Sequence, residues 1–165
     1  MVDRSVFFDL AKTRFGTFQV AATERGVASI HFPNRHELFS ERQKIPQRTR
    51  KILTSAKHFL RDFTSGKMDR HDLVPIDWRF FSDFDRRVLN ALRKISPGRT
   101  ISYSALANRA HVPRAARAVG NALNRNPIPI LIPCHRMVRK DQTLGGYAGG
   151  MRWKRTLLKL EHQNH

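Results

Sequence analysis

The chain holds a single cysteine, Cys134, among its 165 residues. A lone thiol excludes an internal disulfide and any zinc site built on several cysteines. There is no uninterrupted apolar run of membrane-spanning length, which excludes a transmembrane helix. Met1-Val2-Asp3-Arg4-Ser5 lacks the apolar core of a signal peptide. Together with the near absence of cysteine, this sets the expectation of a reducing compartment: cytoplasmic, or nuclear in a eukaryote. No internal repeat or low-complexity tract interrupts the sequence. Acidic residues are scarce, with 13 Asp and Glu against 31 Lys and Arg, a net charge of +18. The imbalance is uneven: residues 1–81 carry +6 and residues 82–165 carry +12. The C-terminal half is therefore the expected polyanion-binding half, and nucleic acid the leading partner.

Hydrophobic residues make up 40% of the chain, enough for a globular core. The first third alternates in the manner of strands. Val6-Phe7-Phe8, residues 16–22 and residues 27–32 are separated by turn-like segments such as Thr23-Glu24-Arg25-Gly26, and an antiparallel meander is expected. Ile52, Leu53, Ala56, Phe59, Leu60 and Phe63 recur at helical spacing before Ser65-Gly66. Val74 to Trp78 reads as another strand or the start of a linker, with a domain boundary near residue 80. Beyond it, Ser82 and Ser102 are placed to cap helices. Pro113 suits the first turn of a helix over residues 114–123. Residues 128–133 read as a buried extended segment, residues 144–150 as a tight loop, and residues 151–161 as a final helix. The fold class expected is α+β: a small β-rich N-terminal domain, residues 1–80, then a mostly helical domain, residues 81–165, with a helix-turn-helix.

The two short helices joined by Ala110-His111-Val112 form that helix-turn-helix. Its second helix is unsuited to reading bases, because Ala115, Ala118, Gly120 and Ala122 replace the long polar side chains of a major-groove reader. Small residues admit a close approach to the groove, so sequence-independent binding through phosphates is expected, against the alternative of an ordinary packed helix. Arg117 is either a core-edge ion pair or a wedge that fills the place of a displaced base. Tyr103 either packs or presses on a phosphate; chemistry on a base within a duplex requires taking it out of the stack. Cys134 is either an inert buried thiol or a reactive one. Adjacent His135 and Arg136 favour the thiolate, so a lowered thiol pKa is expected. On an extended strand Cys134 and His135 would point to opposite faces, so adjacency makes no dyad, and His135 is either a base acting through a water or a core histidine bonded to backbone. Asp83, Asp85, Asp141 and Glu161 are the acidic groups of this half that could orient it.

Pro133-Cys134-His135-Arg136, Tyr103, the Ala115-Ala116-Arg117-Ala118-Val119-Gly120 helix, Asn126-Pro127-Ile128-Pro129 and Leu144-Gly145-Gly146-Tyr147 stand together in this half of the chain. In that set the chain resembles the O6-alkylguanine-DNA alkyltransferase family from about residue 82 to 161. The resemblance implies direct transfer of an alkyl group from guanine O6 to Cys134, once per molecule and without cofactor or metal. It implies that His135 deprotonates the thiol through a water, that Glu161 holds His135, and that Asn126 braces the active-site turn. Tyr103 would aid nucleotide rotation and the departure of guanine, and Arg117 would enter the stack in its place. Met137, Tyr147, Ala148 and Gly149 would line the pocket, with Ala115, Ala116, Ala118, Gly120 and Ala122 against DNA. The partner implied is double-stranded DNA carrying O6-alkylguanine, with O4-alkylthymine as a second candidate. A monomer is expected, with cooperative binding on DNA left open.

The chain departs from the family pattern at Leu89, Ser96, His111, Gln142 and Ala148, the last replacing a serine of some members. Non-catalytic alkyltransferase-like proteins lack the reactive cysteine that is present here. A cysteine hydrolase would need an oxyanion hole and leaves the paired helices unexplained. A helix-turn-helix regulator would need base-reading side chains on residues 114–123.

Overall fold

The computed structural model describes residues 5–33, 43–67 and 73–162; Met1 to Arg4, read above for a signal peptide, lie outside them. Two compact units divide the chain, Met1–Phe80 and Phe81–His165. The architecture is α+β.

The first unit is a three-stranded antiparallel sheet in the order β1 (Phe7–Thr13), β2 (Gly16–Ala22), β3 (Val27–His31), covered by helix α1 (Gln47–Thr64). β1 is longer than the Val6–Phe8 segment suggests, because its ladder with β2 is unbroken from Phe7↔Ala22 to Thr13↔Gly16. Phe18, Val20 and Ile30 are buried, as are Leu53, Ala56, Leu60 and Phe63 of α1. Residues 74–77 are neither a full strand nor a linker. They form an isolated parallel bridge, Val27↔Ile76, with Val27 N–H donating to the Pro75 carbonyl at 2.8 Å and Asp77 N–H to the Val27 carbonyl at 3.0 Å. Asp77 is clasped there by the Thr23 hydroxyl at 2.6 Å and by Arg79 Nε at 2.8 Å. Burial pushes its carboxyl up, but the bonds from Arg79 and Thr23 outweigh that and hold it at about 2.

Gly26 makes this close approach possible. A Cβ there would stand 2.4 Å from the Ile76 carbonyl carbon and 2.5 Å from Asp77 N, both backbone atoms. Gly26→Ala is therefore expected to destabilise the protein by about 1–3 kcal/mol, as overpacking does. Urea denaturation would show this as a lowered midpoint with an unchanged slope; an unmoved midpoint would mean that residues 74–77 shift freely.

The second unit contains α2 (Asp83–Arg93), β4 (Ile101–Ser102), α3 (Tyr103–Arg109), α4 (Ala116–Asn124), β5 (Met137–Val138) and α5 (Met151–His162). Ser82 and Ser102 cap α2 and α3, accepting from the backbone N–H of Asp85 and Ala105. The start of α4 differs from the sequence expectation. Arg114 takes a left-handed φ of 63°, so the helix begins at Ala116 after an Ala115 cap. His111, in the turn between the two helices, is also left-handed at φ 57°, and Arg87 Nη2 donates to its carbonyl at 3.0 Å. β4 and β5 pair in parallel, Ile101↔Met137 and Ser102↔Val138. This small ladder joins the residue preceding Tyr103 to the strand following Arg136, and so brings the start of α3 beside the segment that carries Cys134.

Candidate active site

Residues 128–133 do not run extended. Ile132 N–H bonds back to the Ile128 carbonyl at 3.0 Å, Pro129 bridges Ile132, and Ile130 is buried with φ 72°. A β-branched residue in the left-handed region is strained by roughly 1–3 kcal/mol and persists only where its surroundings fix it. Asn126 supplies that fixing. Its Oδ1 accepts from Ile128 N–H at 3.0 Å, and its Nδ2 donates to the Ile132 carbonyl at 3.2 Å and to Cys134 Sγ at 3.3 Å. One amide thus spans the turn and ends on the thiol.

Cys134, His135 and Arg136 form a single 3-10 turn and are all buried. In a turn the three side chains fan out rather than alternate. His135 Nε2 lies 2.7 Å from Glu161 Oε1. Of the four acidic residues named as candidates, the fold selects Glu161. Asp85 instead pairs with Arg125 at 2.7 Å, Asp141 with the Thr143 hydroxyl at 2.7 Å, and Asp83 opens α2. Glu161 also accepts from Arg136 Nε and Nη2 and from Gly98 N–H at 3.1 Å. Burial raises its carboxyl, yet the bonds and charges of His135 and Arg136 bring it down to about 2. An ionised carboxylate only accepts, so His135 donates to it from Nε2.

The thiol itself departs from expectation. Arg136 turns away from Cys134 toward Glu161 and the Ile95 carbonyl, so its charge is spent there. Burial pushes the Cys134 thiol up from its ordinary value. Bonds from Asn126 and Tyr147 and the charge of Lys154 oppose this without reversing it. The resting group is a protonated thiol that needs a base, not a standing thiolate.

Tyr103 is half-buried at the first position of α3, and its ring faces Gly120 of α4, where an added Cβ would sit 3.7 Å from Cε1. Burial raises the Tyr103 hydroxyl, Arg139 lowers it and Cys134 raises it, which places the phenol within electrostatic reach of the thiol. Tyr147, on the 144–150 loop, carries a buried hydroxyl that favours the Cys134 thiolate. Met137 is buried, Gly149 is partly covered and Ala148 is exposed. On α4 and its cap, Arg117 and Ala118 are exposed, and Ala115, Ala116 and Gly120 are partly covered. Ala122 is a correction. It is fully buried beside Val119 and Leu123 on the inward face of α4, because it lies three residues from Val119, and cannot touch DNA.

Sequence reasoning misses Lys154. Its side chain is buried, and Nζ donates to the carbonyls of Leu144 and Gly146, the latter at 3.3 Å. It thus holds the loop carrying Tyr147 and sets a positive charge toward Cys134. Burial lowers its pKa to about 8, with Cys134 opposing the fall and Arg139 adding to it. A signal is present: Lys154, Leu157, Leu158 and Glu161 share one face of α5 at helical spacing. Lys154→Met should slow thiol alkylation by roughly tenfold or more, since a bond to a charged group contributes about 1.5–3 kcal/mol. The alkaline rise of the alkylation rate should also move to higher pH, because a thiolate without its cation forms later. A slower rate with an unmoved profile would leave Lys154 only as a loop clamp.

Residues 83–163 match the family described as 6-O-methylguanine DNA methyltransferase, DNA binding domain. The chain is 36% identical over 162 residues to the methylated-DNA–protein-cysteine methyltransferase of Methanosarcina barkeri, covering 96% of this chain and 99% of that protein. It is 34% identical over 174 aligned positions to the bifunctional transcriptional activator/DNA repair enzyme Ada of Escherichia coli, covering 97% of this chain and 46% of that one. Among solved structures it is similar to Mycobacterium tuberculosis OGT in complex with DNA, with 31% identity and a TM-score of 0.78 over 95% of this chain and 93% of that one.

Proposed function

The chain belongs to the methylated-DNA–protein-cysteine methyltransferase family, and from that premise we propose that it repairs DNA by transferring the alkyl group of O6-alkylguanine irreversibly to its own Cys134. The observation that carries this reading is the buried Cys134 Sγ, 3.3 Å from Asn126 Nδ2, in one turn with a His135 bonded to Glu161 at 2.7 Å. Its activity is that of a methylated-DNA–[protein]-cysteine S-methyltransferase. The first unit, residues 1–80, supports, and residues 81–165 bind DNA and carry the chemistry.

The reaction is a displacement at carbon. His135 Nδ1 takes the thiol proton through a water as Sγ attacks the alkyl carbon. The carbon–O6 bond breaks, and guanine leaves with its electron pair and gains a proton, with Tyr103 beside it. Glu161 stays ionised throughout and stabilises the imidazolium that forms. Asn126, Tyr147 and Lys154 face the developing thiolate, which suits a thiol that burial otherwise keeps protonated. The product is a thioether, and no step restores the thiol, so one molecule acts once. No cofactor or metal enters, since the alkyl group arrives already bonded to its leaving group.

The target must leave the duplex to reach a buried sulfur. α4 approaches the groove with Ala115, Ala116, Ala118 and Gly120, and exposed Arg117 fills the vacated stack. The protein acts as a monomer, without sequence preference, in whichever compartment holds the DNA.

Arg117→Ala should lower the rate on a duplex carrying O6-methylguanine by roughly tenfold or more, the scale of unstacking energies of a few kcal/mol. Reaction with free O6-benzylguanine should be unchanged, because a free base needs no extrusion. Chromatography of hydrolysed DNA reads the first rate, and thiol labelling reads the second. Equal losses on both substrates would remove Arg117 from the flipping role. A lesion untouched by the wild-type protein would overturn the function.

A further inference from the structure

The first unit carries a cationic surface that the alkyl-transfer site does not use. On α1, Ile52, Leu53, Ala56, Phe59, Leu60 and Phe63 occupy the half of the helix turned to the sheet. Arg48, Arg50, Lys51 and Arg61 are exposed on the other half, together with Thr54 and His58. No acidic residue lies between Gln47 and Arg61. Among the described residues, Asp9 pairs with Lys57 at 2.5 Å, Asp62 with Lys67 at 3.3 Å, and Asp77 with Arg79, so none of these three carboxylates neutralises the row. Arg48, Arg50, Lys51 and Arg61 form no ion pair among the described residues. Arg61 Nε donates to the Lys12 carbonyl at 3.4 Å, which joins the exposed hairpin residues Lys12 and Arg14 to the end of the row.

We propose that this outer face of α1 is a second DNA-contacting surface, which holds phosphates of the duplex backbone independently of the helix-turn-helix. The proposal rests on DNA being the partner of this chain, and it adds a surface outside residues 83–163, the stretch matched by the DNA-binding family. The row from Arg48 to Arg61 is about 20 Å long at 1.5 Å per residue. Phosphates recur every ~3.4 Å along one strand, so a row of this length meets several of them. Unmatched cations on a rigid helix displace condensed counterions and gain affinity in proportion to the phosphates neutralised. An anionic membrane is the weaker fit, because the apolar half of α1 is already buried against the sheet and leaves nothing to insert.

The test is the salt dependence of binding to an undamaged duplex, measured on the full chain by fluorescence anisotropy. Arg48→Gln/Lys51→Gln/Arg61→Gln should flatten the slope of log K against log salt by about 2 to 3, at roughly 0.9 per phosphate contact. Reaction with free O6-benzylguanine should not change, since these residues are outside the reacting unit. The pair Arg50→Gln/Lys51→Gln, with a smaller flattening of about 1 to 2, keeps the test open should the triple variant melt early. Unaltered slopes in a folded variant would overturn the α1 surface alone. A wild-type protein without DNA affinity would overturn the DNA reading with it. Loss of sedimentation with phosphatidylserine vesicles at an unaltered DNA slope would reassign the face to a membrane.

Discussion

Cys134→Ser should abolish alkyl transfer and leave DNA binding intact. The substitution changes one atom, and the hydroxyl occupies nearly the space of the thiol, so Asn126 Nδ2 keeps an acceptor at the end of its brace. What disappears is the nucleophile. A serine hydroxyl ionises far less readily than a thiol and is a much weaker nucleophile toward saturated carbon. In this site burial already pushes even the thiol up, so the alkoxide is out of reach at neutral pH. Radiolabelled methyl groups on duplex DNA should remain on the DNA, while the dissociation constant for a lesion-bearing duplex stays within about twofold, well under the tenfold that about 1.4 kcal/mol represents. Residual transfer to the serine variant would place the acceptor elsewhere.

Glu161→Gln is the change with the next largest effect, and it acts on stability and reactivity together. Glu161 accepts from His135, from Arg136 and from the Gly98 backbone, all in a buried setting. A neutral amide cannot balance the Arg136 guanidinium, which is fully buried. Breaking a buried pair on one side costs about 3–5 kcal/mol, a large share of the roughly 5–15 kcal/mol that holds a domain folded. The same change removes the carboxylate that holds His135 by Nε2, so whatever remains folded should react far more slowly.

Acid should weaken the fold through the same carboxylate. The Glu161 carboxyl sits at about 2 in the fold against an ordinary 4.5. Its contribution is complete above the unfolded value and is lost as pH falls from about 4.5 through about 2. Asp77, also at about 2, titrates in the same window from the first unit. Between pH 7 and pH 3 the urea midpoint of the wild-type chain should therefore fall steeply. The Glu161→Gln variant should start lower and fall less, retaining the Asp77 part. Parallel curves for the two proteins would contradict the hub role of Glu161.

Local signals in the sequence are sufficient where the physics is local. Ser82 and Ser102 cap the helices they precede, and the spacing of Ile52 to Phe63 marks the buried face of α1. A lone cysteine beside a histidine marks the turn proposed to react. The meander of the first unit follows from alternation, although the length of β1 depends on its pairing with β2. Other features depend on tertiary context. Arg114, His111 and Ile130 adopt left-handed backbone that no propensity of Arg, His or Ile announces, so α4 begins late and residues 128–133 fold back instead of extending. The choice of Glu161 among four acids rests on α5 returning across 26 residues to meet His135. The expectation of a lowered thiol pKa fails because adjacency in sequence is not adjacency of charge. Arg136 neighbours Cys134 in the chain but delivers its charge to Glu161, and the cation that does face the sulfur, Lys154, comes from twenty residues away.

If Cys134 itself carries away the lesion, the protein's own mass must record it. The most direct test is the intact mass of the protein after incubation with an excess of duplex DNA containing one O6-methylguanine. A gain of a single methyl group, located on the peptide containing Cys134 and never exceeding one per molecule, is the predicted result. An unchanged mass with tight binding to the lesion, or a DNA product formed in many copies per protein, would contradict it.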